Sequence, residues 1–492
     1  MALTILQEPR WRQLPANNEI IFAVADTNAV ALKYKVKYLI EIYCFQNTSS
    51  IFNSANYVTT LKVIPNSAAS GIVDLSPIIK NYVSPDYMGG YRTKTSTGGA
   101  SAFKQALWTP DGQGRHEIHV IDNYTTGKNI GTYFALKFKI QYADSSTGVP
   151  QIDTGQTVST DIYYAWNGVI QEDVPVYRGT GSEYGYDLQH LGYVMSLQSL
   201  HADGSPYTTK RFLSNMPLTQ YATENCYGVW AFFNCMSDWD NWRTGESPDY
   251  NVRKVKWIFY NSSGSVLNTR TVGTNSSNGG NHGYYTNAAY KVFYAGVFPA
   301  NIKGDGYTIP STTSYYTVEC LDSDDATISQ VYTIHLETDD CKGYEKIRLA
   351  WLNTLGTWDY YNFKKKSVRS VSSTKLRYTQ IKGDWNSETY TFDGHHGGNK
   401  VYNTVSSESI DLNTDFISEE EGAWLQELFI SNDVYMIKPY DSDYYRIGNT
   451  GKYVEPVVVK TSEYVKQTKA NDKLIQYSLE IERTKKIRTA TI

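Results

Sequence analysis

The chain has 492 residues, and its 46 basic and 50 acidic side chains leave a net charge of -4. That balance excludes a basic protein whose main partner is nucleic acid, because phosphate neutralisation dominates such affinities, and the length allows roughly three domains with cores of their own. Aromatic residues reach 14%, led by 42 Tyr and 11 Trp; a ring with a polar tip suits half-buried sheet faces and protein interfaces better than dry cores.

Met1 to Glu8 lacks the basic and then long apolar run of a signal peptide, and no stretch is long enough to span a bilayer. We therefore expect a soluble protein completed in the cytoplasm where it is made. The five Cys residues (Cys44, Cys226, Cys235, Cys320, Cys341) form no C-x-x-C pair and have no His at zinc-finger spacing. Buried, reduced thiols in strands are expected, with Cys226 to Cys235 or Cys320 to Cys341 as the alternative disulfide pairs.

The first domain is expected over residues 1–170. Tyr34, Val36, Tyr38, Ile40, Ile42 and Cys44 alternate with Lys35, Lys37, Leu39, Glu41 and Tyr43, the period-2 pattern of a strand with one strongly apolar face. Phe134, Leu136, Phe138, Ile140 and Tyr142 repeat it. Between them Ser76 and Pro77 read as an N-cap and a first-turn Pro, opening a short helix that reaches Tyr82 or Val83 and is stopped by Pro85. Residues 89–100 form a small-residue loop with little to bury, a first candidate for an assembly contact.

Residues 171–210 are rich in Gly, Tyr and Ser with irregular apolar spacing and read as a connector. A middle β domain follows over 211–339. Val252, Val255, Trp257 and Phe259 lead into the turn Asn261-Ser262-Ser263-Gly264 and a return strand from Val266, a hairpin signal. The stretch Gly273 to Asn281 is low complexity. Tyr315 to Leu321 and Val331 to Leu336 then bracket the acidic turn Asp322-Ser323-Asp324-Asp325.

The C-terminal domain, 340–492, opens on a strand from Ile347 to Trp351, a polar corner from Asn353 to Gly356, and an aromatic strand from Trp358 to Phe363. Ile347, Leu349 and Trp351 share one face, with Arg348 and Ala350 on the other, as for a strand with one buried side. Gly356 supplies the backbone angles of a tight turn, and Asn353 can bond back to the main chain. A helix near 418–430 is marked by Ser418 as N-cap with Glu421 three residues on, a capping box, and by the apolar stripe Trp424, Leu425, Leu428 and Phe429, which should pack on a sheet. Val434 to Ile437, Val454 to Val459 and Leu474 to Ile481 read as further strands. The fold class is therefore mainly β, several antiparallel β-sandwich domains with one or two short helices.

The sequence Cys341, a strand ending in Trp351, then Leu352-Asn353-x-x-Gly356-x-Trp358-Asp359 and an aromatic strand resembles virion structural proteins of tailed bacteriophages, especially those of marine and gut phages. Ile20 to Tyr43 with the downstream Gly71-Ile72-Val73-Asp74-Leu75, the segment Arg211 to Pro217, and the ending Asn471 to Leu474 extend the resemblance over nearly the whole chain. It implies a particle component rather than a reaction, and it carries no active-site residues.

Candidate chemistry is sparse. His116, His119 and Asp122 lie close in sequence, but in a strand positions 116 and 119 point to opposite faces, which argues against one shared ion. His395 and His396 sit with Asp393 in a Gly-rich loop. Asp322, Asp324 and Asp325, and separately Asp441 and Asp443, offer oxygen ligands without the twelve-residue loop and closing Glu of a specific calcium site. Asp238 and Asp240 around Trp239, next to Trp242, are the best paired carboxylates for a glycan hydrolase, against the alternative of a Trp-rich hairpin end. There is no nucleophile elbow, P-loop, zinc-protease helix or dinucleotide fingerprint. The basic ending, Lys466, Lys469, Lys473, Arg483, Lys485, Lys486 and Arg488, reads as a solvated edge strand or as a tail for an acidic patch on a neighbouring subunit.

We assign no catalytic, cofactor-binding or metal residues and expect no enzymatic activity and no cofactor. The expected role is a tail or baseplate scaffold or adaptor of a tailed-phage virion, assembled in the host cytoplasm. Its expected partners are other virion proteins (tail, baseplate or fibre components) and further copies of itself, not nucleic acid or membrane. A receptor-binding or head-surface adhesin for a host glycan is the alternative, and a virion-associated glycan hydrolase the second.

Overall fold

The computed structural model describes residues 3–46, 50–88, 92–93, 113–114, 117–121, 124–174, 176–178, 183–186, 188, 191–193, 210–233, 252, 254–273, 292–304, 306–322, 324–337, 344–385, 390–391, 394–438, 454–461, 463, 476–485 and 487. They gather into two units, the first holding the chain up to residue 337 together with Leu352–Asp359, the second holding 344–351, 360–438 and the residues from 454 onward. The fold is mainly β, built from several antiparallel sheets with few short helices.

In the first unit, one sheet runs Tyr177–Arg178, Glu183–Gly185, Thr4–Pro9, Ile21–Ala25, Ser70–Asp74. A second runs Gln13–Pro15, Tyr163–Trp166, Gly131–Ala143, Tyr34–Phe45, Tyr57–Val63, with Gln151–Ser159 also paired to Gly131–Ala143. One core joins them: Phe22, Val24 and Val73 of the first sheet pack with Tyr38, Ile40, Ile42, Phe134, Leu136, Phe138 and Ile140 of the second. Phe22 reaches across to Tyr163 at 5.5 Å and Phe138 at 6.3 Å between ring centroids. This is a sandwich of the expected kind. Residues 171–210, in which no periodic element is legible, nevertheless contribute two short strands to it.

The apolar face predicted for Tyr34–Phe45 is the core face at Tyr38, Ile40 and Ile42, while Tyr34 at the strand's start is exposed. The opposite face is exposed at Lys35 and Lys37 but covered further along: Leu39 is buried, and Tyr43 packs edge-on against Phe52 and Tyr57. Tyr38 is also a joint, since its hydroxyl donates to the Ala69 carbonyl at 2.7 Å and accepts from the Asp26 N–H at 2.8 Å. Its ring lies so close to Gly71 that a Cβ there would stand 2.4 Å from it, so this close approach requires glycine.

Ser76 is not the N-cap. Leu75 holds that position, and Ser76 begins the helix Ser76–Ile79, which a 3₁₀ turn carries to Tyr82. The capping oxygen comes from Asp74, which accepts from the Ser76 N–H and Oγ–H and from the Ile20 N–H.

Further along the first unit, Lys254–Tyr260 and Val266–Gly273 pair as the predicted hairpin. They belong to a sheet ordered Thr219–Ala222, Tyr332–Leu336, Tyr315–Leu321, Lys254–Tyr260, Val266–Gly273, the second strand starting at Tyr332 rather than Val331. A smaller sheet pairs Val229–Phe233 with Val292–Gly296 and the latter with Tyr124–Thr126, so stretches before 170 and after 211 share one sheet. Phe212, fully buried, touches Trp230 and Tyr332 at 5.1 Å each and so ties the two sheets together. Asn301, in the helix Pro299–Gly304, is likewise fully buried; its Nδ2 donates to the His119 and Ile121 carbonyls at 3.0 and 2.8 Å and its Oδ1 accepts from the Gly228 N–H at 2.9 Å.

In the second unit, a seven-stranded sheet is ordered Trp358–Phe363, Ile347–Leu352, Val434–Ile437, Val454–Val459, Ser478–Arg483, Gly398–Asn413, Val368–Gln380. The helix Glu419–Ile430 carries the predicted capping box at Ser418 and Glu421, and it packs on the sheet through Trp424, whose ring lies 5.0 Å from Trp351. Phe429 is only half-buried, at the edge of the predicted stripe. Ile347–Leu352 is buried on both faces, not one: Arg348 lies over the Tyr360 ring at 4.9 Å and donates to Asn362 Oδ1 at 2.8 Å. Cation–π contact and a satisfied donor make a buried guanidinium tolerable there.

Candidate functional site

The residues singled out for chemistry do not converge among the described residues, where no group of three or more His, Cys, Asp or Glu is placed to hold a metal ion. His116, Asp122, Asp238, Trp239, Asp240, Trp242, Asp393, Asp441 and Asp443 lie outside the described residues. His119 is in a 3₁₀ turn, Ile118–Val120, not in a strand, and its buried ring meets Trp358 edge-on at 4.8 Å. His395 is exposed with its ring 4.2 Å from that of His396. Asp322 is a buried turn residue: its Oδ1 accepts from the Asp324 and Ala326 N–H groups at 2.9 and 2.8 Å, while Asp325 pairs with Lys254 at 2.8 Å. The Asp322 carboxylate is committed to the turn itself and that of Asp325 to the Lys254 ammonium.

Cys44, Cys226 and Cys320 are free thiols, and burial pushes Cys44 up to about 12, so it is inert at neutral pH. Cys226 is buried outside the strands, its Sγ 3.4 Å from Thr223 N and Oγ1. Cys235 and Cys341 lie outside the described residues, as do residues 89–91 and 94–100 of the predicted contact loop and Lys466, Lys469, Lys473, Lys486 and Arg488. Where the basic ending is described, it is not an edge strand. Ser478–Arg483 is an internal strand, and Arg483 bonds Glu455 at 2.6 Å and Glu408 at 2.5 Å within its own sheet. Burial raises the Glu455 carboxyl, but the Arg483 and Lys438 hydrogen bonds win and hold it below the usual carboxylate range.

Of the four segments quoted for the resemblance, Arg211 to Pro217, the opening with Gly71 to Leu75, and the Leu352-to-Asp359 corner form structural joints within the first unit. At the corner, Asn353 Oδ1 accepts from the Leu355 and Thr357 N–H groups at 3.0 Å each, and its Nδ2 donates to the Leu213 carbonyl at 3.0 Å. Thr357 Oγ1 reaches the same carbonyl at 2.5 Å. Leu213 in turn donates its N–H to Ala231 at 2.7 Å, so Arg211 to Pro217 and the Leu352-to-Asp359 corner meet at one residue. Trp358 Nε1 donates to the Asp86 carbonyl at 3.0 Å. The pairing of Ile21 with Asp74 joins the remaining two stretches.

Asp86 is itself a bolt: its carboxylate takes the N–H groups of Lys128, Asn129 and Ile130 at 2.8 to 3.4 Å while only 1% exposed. Burial pushes its carboxyl up from 3.8 to about 6 against the pull of those donors. A raised folded-state value favours the folded state fully below pH 3.8 and loses that contribution as pH rises through 6; the difference is worth ~3 kcal/mol. Unfolding midpoints measured from pH 4 to 8 should therefore diverge between the protein and Asp86→Asn, with the variant lacking this downward slope. Parallel pH profiles would contradict the assignment.

The feature most unlike a closed domain is in the second unit. Val368–Gln380, 13 residues long, pairs with Gly398–Asn413 and forms the outer edge of the seven-stranded sheet. All but the last of its residues are exposed. At about 3.4 Å per residue the ribbon is roughly 40 Å long. It holds its shape by pairing alone, with Ser372 and Ser407 hydroxyls 3.0 Å apart and Thr379 donating to Asn399 at 2.9 Å. Val371 is 62% exposed, Ile381 72% and Tyr402 53%, joined by Leu376, Tyr378 and Val405. Its inner end is anchored by Arg369, which bonds Glu345 and Glu408. Outward from there Lys375, Arg377, Lys382 and Lys400 give it a basic character. Among the described residues no strand pairs with its outer edge.

The sequence reading missed this ribbon because, outside its inner end where Ile410 and Leu412 are buried, both faces are in water, so no apolar alternation marks Val368–Gln380. A run of Val, Ser, Thr and Tyr without Gly or Pro from 368 to 380 is the signal that was available.

The chain matches no protein-family model and no curated protein. Among solved structures it aligns with E. coli α2-macroglobulin in its native conformation at 8% identity and a TM-score of 0.17, over 84% of this chain and 22% of that one. It aligns with latent PorU of Porphyromonas gingivalis at 8% identity and a TM-score of 0.16, over 84% of this chain and 32% of that one. The chain thus spans a third or less of those proteins, and at these scores the likenesses carry no argument.

Proposed function

We propose that this chain is a structural component of a tailed-phage virion, a scaffold or adaptor in its tail or baseplate that assembles with other virion proteins. The observation that carries the reading is the ribbon. A two-stranded hairpin with both faces wet is marginal in water, and an open edge with exposed Val, Leu, Ile and Tyr is a template for strand addition. Lys375 and Arg377 on that edge oppose indiscriminate pairing and select a neighbour whose own edge is acidic. Seated on such a neighbour, the ribbon gains the third strand and the cover that it lacks alone.

The test is to replace residues 374–405 by a short Gly-containing turn between Ser373 and Ser406, which pair across the ribbon. The shortened chain should keep its unfolding midpoint and be lost from particles assembled in its presence. Incorporation at the level of the unaltered chain would overturn the proposal. A second reading, a host-glycan adhesin, draws on the Tyr378 and Tyr402 rings, which are exposed and 6.2 Å apart. It predicts that the isolated chain binds glycan and that Tyr402→Ala abolishes the binding without affecting incorporation.

A further inference from the structure

The two segments that meet at Leu213 also border a cleft within the first unit. It has a volume of about 310 Å³ and is walled by Val169, Leu191 and Leu355, with Arg211, Tyr193 and Asn215 bringing polar groups to it. That volume is at the small end for a ligand site and suits a group about the size of one amino acid.

Arg211 is half-buried, its Nε is buried with no hydrogen-bond partner, and no carboxylate of the described residues pairs with it. Its guanidinium carbon lies 5.8 Å from the Tyr193 ring centroid. A guanidinium held against a ring in a cleft of mixed polar and apolar lining, without a counter-ion, is the arrangement that favours a carboxylate, by charge and by its fork of donors. The walls are fixed in advance. The Arg211 N–H donates to Gly192 at 2.7 Å and the Val169 N–H to Thr354 at 2.8 Å. Asn18 bonds both the N–H and the carbonyl of Ile170 at 2.8 Å, and the Tyr193 hydroxyl donates to Asn215 Oδ1 at 3.0 Å. A preformed cleft loses little on ordering a ligand.

We infer that this cleft binds a carboxylate carried on a short apolar stem, with Arg211 taking the carboxylate and Val169, Leu191 and Leu355 the stem. The inference does not depend on the virion reading. Two sources share this chemistry, a free short-chain acid and the C-terminal residue of another polypeptide.

Calorimetric titration of the full chain with pentanoate and with pentanamide tests it. Pentanoate should bind saturably with a Kd on the order of 1 mM, and pentanamide should not. Arg211→Gln should weaken pentanoate roughly tenfold or more with the unfolding midpoint unchanged, while Arg211→Lys retains part of the affinity. Acetyl-Ala-Ala-Leu as free acid and as amide separates the sources: binding of the acid alone indicates a chain terminus, and binding of pentanoate but neither peptide indicates a free acid. Equal binding of pentanoate and pentanamide, or no saturable binding of either, overturns the inference. The amide comparison uses the unaltered chain, so it stands even if the Arg211 variants fold poorly.

Discussion

Gly356→Ala is expected to destabilise the first unit on the order of 4–5 kcal/mol, a large part of the ordinary stability of a domain. Gly356 has φ +76°, and a Cβ added there would stand 1.8 Å from the Asn167 carbonyl oxygen and 2.6 Å from its carbon. Both nearest atoms are main chain, so no rotamer can relieve the contact. Moving the corner away would break the bonds that hold it to its neighbours: the Val169 N–H to Thr354, and the Asn353 and Thr357 side chains to Leu213. Gly306, in the same unit, has φ +83° with nothing within 4 Å of an added Cβ. Gly306→Ala therefore reports backbone strain alone, about 1 kcal/mol. Urea unfolding of the two variants side by side separates strain from collision, and equal losses would show that the corner yields.

The second large effect is expected at Asn301. Asn301→Leu keeps the number and branching of the side-chain heavy atoms in a fully buried site, so it opens no cavity, although its methyl groups are bulkier than the amide. It removes the bonds that Asn301 makes to the buried carbonyls of His119 and Ile121 and to the N–H of Gly228. At about 1–3 kcal/mol for each buried group left unsatisfied, and with incomplete additivity, the loss should be roughly 4 kcal/mol. The Gly228 amide should exchange with solvent far faster in the variant at matched global stability. A loss under about 1 kcal/mol would mean that the three segments around Asn301 find other partners.

Much of the fold was legible because it is written in short-range chemistry. The alternation from Tyr34 to Cys44 and from Phe134 to Tyr142, the turn at Asn261 to Gly264 and the capping box at Ser418 each have a local mechanism, and each appears where the sequence put it. What escaped was long-range. The parallel pairings of Tyr163–Trp166 with Gln13–Pro15 and of Thr219–Ala222 with Tyr332–Leu336 join segments far apart in sequence, which no local pattern announces. Asp86 gives no hint in sequence that three N–H groups and the Trp358 indole converge on it. Arg348 reads as a solvent-facing residue because alternation alone cannot show that a second layer covers its face. The ribbon escaped for the opposite reason, having no buried face to leave a pattern. Of the cleft, Arg211, Asn215 and Leu355 were in view within segments singled out in the sequence and Val169, Leu191 and Tyr193 were not, and only the fold brings them to one place.

The central claim is that the ribbon is an assembly arm. Crosslinking mass spectrometry on intact particles tests it most directly, through Lys375 and Lys382, both exposed near its outer end. Crosslinks from these lysines to a different virion protein, concentrated on an acidic strand edge of that protein, are the predicted result. Crosslinks from both confined to the same chain, with the ribbon as reactive in particles as in the isolated protein, would contradict it.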